Sequence, residues 1–81
     1  MMTPARKEPD KTAYSGRFAI RLRELREKAG LTPEQVAERL DVTANAVYRW
    51  EGDLNYPRIS LFPKIAELYN LKIVRELLPP E

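Results

Sequence analysis

Among its 81 residues the chain has no cysteine and no histidine. Their absence excludes disulfides, thiolate metal sites, zinc clusters and imidazole general bases. Glycine occurs three times and tryptophan once, and no glycine-rich phosphate loop is present. No apolar run approaches the roughly 18 residues that a membrane span requires. The opening stretch MMTPARKEPDK lacks the apolar core of a signal peptide, so the expected setting is the cytoplasm. Acidic residues are numerous but form no recognisable acid/base or metal-binding constellation. No catalytic function, cofactor, metal or small-molecule substrate is therefore expected.

What remains is a composition of 43% apolar and 32% charged residues, that of one small globular domain. Without covalent or metal staples it must hold by packing alone, which favours helices with local contacts. The net charge is only +2, but it is unevenly spread. Residues 1–28 carry eight basic against four acidic side chains, whereas residues 29–81 carry six against eight. A basic N-terminal third suits a polyanion, whose phosphates attract Lys and Arg irrespective of sequence.

Residues 1–16, with Pro4, Pro9, Gly16 and alternating charges, read as a flexible basic arm. A helix is predicted over residues 18–29, where Phe18, Leu22, Leu25 and Ala29 recur at spacings of three and four and Gly30 follows as the terminator. Thr32 opens a second helix as N-cap, with Pro33 at its first position and Gln35 completing a capping box. Val36, Ala37 and Leu40 supply its apolar face. After Asp41 and Val42, Thr43 caps a third helix that turns Val47 and Trp50 inward, until Gly52 and Asp53 end it. A loop over residues 54–57 leads to a fourth helix over residues 60–69, capped by Ser60 and ended by Asn70. Leu71, Ile73, Val74, Leu77 and Leu78 form a fifth segment, stopped by Pro79 and Pro80. The expectation is a compact all-α, five-helix domain over residues 17–78, with residues 79–81 as a tail.

The short link around Asp41 and Val42 forces the second and third helices to cross at a large angle. The third helix is then propped on the second with one face outward, and a major groove about 12 Å wide admits such a helix. Small Ala37 permits the close approach. The stretch Gly30-Leu31-Thr32-Pro33-Glu34-Gln35-Val36-Ala37-Glu38-Arg39-Leu40-Asp41-Val42-Thr43, continued by Val47-Tyr48-Arg49-Trp50-Glu51, resembles the phage repressor/Cro, or Xre-like, helix-turn-helix family. So does Ile65-Ala66-Glu67-Leu68-Tyr69-Asn70-Leu71 with the closing Leu77-Leu78. The resemblance covers residues 18–78 and implies a lambda-repressor-like fold that binds double-stranded DNA, usually as a homodimer, in transcription regulation.

Carried over by position, the resemblance assigns base contacts to Ala44, Asn45, Tyr48 and Arg49. Arg49 suits guanine O6 and N7, and Asn45 suits adenine N6 and N7; each good bidentate pair is worth about 1–3 kcal/mol of discrimination. Ala44 offers an apolar contact and Tyr48 a stacking surface or a donor to phosphate. Thr32, Thr43, Tyr56 and Arg58 are candidate phosphate contacts, joined by Arg17 and Arg21, with Arg6, Lys7 and Lys11 reaching from the arm. The family also implies a partly buried structural ion pair between Arg26 and Glu51. Phe18, Phe62 and Trp50 read as core aromatics.

Pro33 stands where the family usually has a phosphate-binding Gln, and residues 29–53 carry two basic against five acidic side chains. These features favour an alternative, a protein-interaction module that uses the same fold without reading DNA. Leu54, Tyr69, Ile73 and Leu78 are candidates for a dimer surface.

Overall fold

The computed structural model describes residues 9–79. Four α-helices run in order: α1 Tyr14–Lys28, α2 Pro33–Leu40, α3 Ala44–Glu51 and α4 Phe62–Leu68. Short 3₁₀ turns at Ile59–Leu61 and Val74–Leu77 precede and follow α4, and no strand occurs among the described residues. The all-α class holds, with four α-helices in place of the expected five.

The missing fifth helix has a local cause. Asn70, in the left-handed region at φ 62°, ends α4. Ile73 and Leu78 are both extended, the latter directly before Pro79. Only four residues lie between them, too few to propagate an α-helix beyond its costly first turn, and they close as a 3₁₀ turn. At α4 itself Ser60 is not the cap; it lies in the preceding 3₁₀ turn, and Pro63 sits in the first helical turn where its missing N–H is harmless.

Helix α1 begins four residues before Phe18, the expected start. Asp10 makes the turn into it, accepting from the Thr12 N–H (2.9 Å) and hydroxyl (2.6 Å) through its carboxylate and from the Ala13 N–H (3.1 Å) through its carbonyl. Pro9 and Gly16 are buried, and a Cβ at Gly16 would collide with the Asp10 backbone. Residues 9–13 are thus folded back on α1 rather than extended as an arm. Ala29, expected to face inward, is exposed at the helix end.

All four helices terminate in the same motif. Gly30, Asp41, Asp53 and Asn70 each adopt a left-handed backbone, φ 59° to 73°. The N–H that follows each one reaches back to a carbonyl five residues earlier: Leu31 to Arg26, Val42 to Ala37, Leu54 to Arg49 and Leu71 to Ala66, at 2.8–3.2 Å. Leu31, Val42 and Leu71 tuck their side chains against the core, while Leu54 stays 69% exposed.

The core is built from Phe18, Leu22 and Leu25 of α1, Val36, Ala37 and Leu40 of α2, Val47 and Trp50 of α3, and Ile65 of α4. Leu77 closes it from the C-terminal 3₁₀ turn with no exposed surface. Phe62 packs half-buried on Phe18, ring centroids 6.0 Å apart and planes tilted by 52°. These positions match the helical periodicity, because residues three and four apart share a helix face.

Candidate nucleic-acid interface

Helices α2 and α3 form the corner. Thr32 Oγ1 accepts from the Gln35 N–H (3.1 Å) while Gln35 Oε1 accepts from the Thr32 N–H (2.8 Å), so the predicted capping box is present. Thr43 Oγ1 caps α3 by accepting from the Ala46 N–H (3.1 Å). Between the helices, left-handed Asp41 turns the chain and Val42 plugs the gap beneath. Burial of Val47, Trp50 and Glu51 fixes the rotation of α3. Asn45, Tyr48 and Arg49, at i, i+3 and i+4, are consequently left exposed on the opposite side.

The ion pair beneath this surface is the family-implied one. Arg26 Nε donates to Glu51 Oε2 (2.7 Å) and Nη2 to Oε1 (3.0 Å), while Nη1 donates to the Leu31 carbonyl (2.9 Å). One guanidinium therefore joins α1, the α1–α2 loop and the end of α3. Glu51 is 7% exposed and Arg26 14%. The hydrogen bond to Glu51 raises the Arg26 pKa above its already high value. Tyr69 lies near this pair; burial, helped by the Glu51 charge, pushes its phenol up to about 12.

The structure gathers only part of the expected site. Ala44, at the start of α3, is half-buried against the core, leaving little surface for a base. Arg17 Nη1 donates to the Lys11 and Thr12 carbonyls (3.3 Å each), and its guanidinium lies 5.4 Å from the Tyr14 ring centroid. Arg21 Nη2 donates to the Glu76 carbonyl (2.7 Å). Lys11, Arg17 and Arg21 line a cleft with Pro79, so they sit beside the C-terminal segment rather than on the exposed face of α3. Charge counting along the sequence did not reveal this, since helical phase decides which way each arginine leaves α1. Arg6 and Lys7 lie outside the described residues.

In the loop after α3, Tyr56 donates its hydroxyl to Asp53 Oδ1 (2.9 Å), and Asp53 Oδ2 accepts from the Ser15 hydroxyl (3.4 Å). Arg58 is exposed at the start of the following 3₁₀ turn. Glu34 adds an unexpected contact on this face. Its carboxylate accepts the Tyr48 hydroxyl at 2.8 Å, across the corner from α3 to α2. That bond is the main reason its pKa falls below the ordinary carboxylate value, with a further contribution from its own backbone N–H. A contact between residues 14 apart through a tight turn leaves no local sequence signal.

A profile described as Helix-turn-helix domain matches residues 17–78. The chain belongs to the helix-turn-helix domain family. It is similar to the HTH-type transcriptional regulator ImmR of Bacillus subtilis (strain 168), 37% identical over 51 residues that make up 63% of this chain and 40% of ImmR. It is also similar to the HTH-type transcriptional activator BcrR of Enterococcus faecalis, 36% identical over 56 residues, or 69% of this chain and 28% of BcrR. The helix-turn-helix domain described here thus spans less than half the length of either relative. Among solved structures, the DNA-binding domain of BldD shares the fold with a TM-score of 0.68 and 26% identity, covering 82% of this chain and 94% of that one. Among the described residues no helix is long and apolar enough to cross a membrane, and no group of three or more acidic side chains could hold a metal ion.

Proposed function

We propose that this helix-turn-helix domain binds double-stranded DNA with α3 in the major groove and acts in the cytoplasm in transcription regulation. The observation that carries the reading is the outer face of α3, where exposed Asn45 and Arg49 stand one turn apart on a helix locked from behind. Asn45 suits adenine and Arg49 guanine, each able to make two hydrogen bonds to a base edge. Thr43 and Arg58 are the best-placed candidates for phosphate. Arg17 and Arg21, already bonded to backbone carbonyls, play a lesser part in this reading.

Two copies reading half-sites about 34 Å apart would suit a palindromic target. Support for a homodimer comes from Leu54, Tyr56 and Ile59, 69%, 51% and 79% exposed in and just beyond the loop after α3. Tyr69 and Leu78, also considered for that surface, are half-buried against the core. The second reading, a protein-interaction module, is favoured by Glu34, Glu38 and Asp41, all exposed on and at the end of α2.

One experiment separates the two. Duplexes are selected from a randomised library at about 50 mM and again at about 150 mM salt, because phosphate contacts weaken steeply over that range. Enrichment of a motif, with Arg49→Ala relaxing the preference at one base pair, supports the DNA reading. Negligible retention at low salt would transfer the case to a protein partner.

A further inference from the structure

Glu34 occupies the N-terminal turn of α2 and carries a negative charge where a phosphate would otherwise be attracted by the helix end. Its Oε2 holds the Tyr48 hydroxyl at 2.8 Å. A hydrogen bond to an ionised carboxylate is about twice as strong as one between neutral groups. The Tyr48 hydroxyl hydrogen is therefore committed to Glu34, and a neutral base acceptor competes for it poorly.

A tyrosine hydroxyl has one hydrogen to give and lone pairs to accept with. With the hydrogen held by Glu34, what the hydroxyl has to offer a base edge is its acceptor capacity. A phosphate oxygen, itself an acceptor, gains nothing from such a group. In the major groove the donors are the cytosine N4 and adenine N6 amino groups, whereas guanine O6 and N7 and thymine O4 are acceptors. We propose that Glu34 makes Tyr48 a reader of exocyclic amino groups, its phenolic oxygen accepting from cytosine N4 or adenine N6 and rejecting guanine and thymine edges. Glu34 is then a positioning residue that acts through Tyr48. The inference rests on the DNA-binding reading above and deepens it, turning a tyrosine expected to stack or to donate to phosphate into a base-specific contact.

The test uses the full chain and a duplex obtained by the selection described above. Binding is titrated by fluorescence anisotropy against duplexes in which single cytosines are replaced by pyrimidin-2-one, lacking N4, and single adenines by purine, lacking N6. For the parent, one such replacement should weaken binding roughly threefold to tenfold, the range of one neutral hydrogen bond. The arm that shows it tells cytosine from adenine. Tyr48→Phe should be indifferent to that replacement while keeping any amino dependence that belongs to Asn45. Glu34→Ala, which frees the hydroxyl to donate as well as to accept, should bind guanine or thymine at that position nearly as well as the parent's preferred base. Both partners are at the surface, and thermal melts matching the parent's establish that the variants fold. Amino dependences that all survive unchanged in Tyr48→Phe, or rejection of guanine and thymine that is unchanged in Glu34→Ala, overturn the proposal. Failure of every variant and the parent to retain any duplex is a different result, which removes the DNA-binding reading itself.

Discussion

Removing the Glu51 carboxylate should strip the corner of a buried anchor between α1 and α3. In Glu51→Ala the Arg26 guanidinium loses both of its carboxylate bonds, at 2.7 and 3.0 Å, and keeps only the Leu31 carbonyl. Breaking a buried ion pair from one side costs about 3–5 kcal/mol, because the surviving charge stays desolvated. Arg26 retains 14% exposure and one hydrogen bond, so the lower end applies, about 3 kcal/mol. A domain of this size has a stability of roughly 4–12 kcal/mol, and each kcal/mol moves its melting temperature by about 4–8 °C. The expected drop is therefore about 12–24 °C, read by circular dichroism at fixed protein and salt concentrations. Raising the salt should change the difference little, since a buried pair is poorly screened. The double variant Arg26→Met, Glu51→Leu should lose less than the two single losses combined, because neither charge is stranded. An E51A melt within about 2 °C of the parent, or strict additivity in the cycle, would refute the reasoning.

Three further outcomes follow from the backbone and from one phenol. Asp41→Gly should raise stability by about 1 kcal/mol in a denaturant titration, since an L-residue at φ 59° is strained and a carboxylate at the C-terminus of α2 opposes the helix dipole; an unchanged or lower midpoint counts against that account. Gly16→Ala should destabilise the domain and expose residues 9–13 to protease, because its Cβ has no space beside the Asp10 backbone; equal proteolysis of parent and variant contradicts it. The Tyr69 phenol, raised by burial to about 12 from its ordinary 10, binds its proton more tightly in the folded state. Its contribution to stability is thus full below pH 10 and lost as pH climbs toward 12, so the parent should lose stability relative to Tyr69→Phe across that window; parallel curves are the contrary result.

Much of the fold was legible because its determinants are local. Thr32 with Gln35, Thr43 before α3, and the periodic Phe18, Leu22, Leu25, Val36, Leu40, Val47 and Trp50 each act within a turn or two of chain, so spacing reveals them. Gly30 and Asn70 likewise announce helix ends through their own backbone preferences. The same local logic missed the start of α1, since Gly16 is a poor helix former that serves here by admitting the Asp10 backbone. It also overcounted the helices, because apolar Leu71 to Leu78 carry a helical spacing that two extended residues and Pro79 cut short.

The candidate surface divides along the same line. That Asn45, Tyr48 and Arg49 share a face follows from 3.6 residues per turn, and the Arg26–Glu51 pairing was implied by family resemblance. The chain by itself therefore determined the all-α corner and the side chains offered on its outer helix. Only the tertiary structure decided which charges accompany them, because the direction of a long side chain depends on what packs around its helix. That packing turns Arg17 and Arg21 toward the C-terminal segment, brings Asp53 to Ser15 and Tyr56, and sets Glu34 against Tyr48. Such contacts join residues far apart in sequence, and their free energy exists only once the helices have crossed.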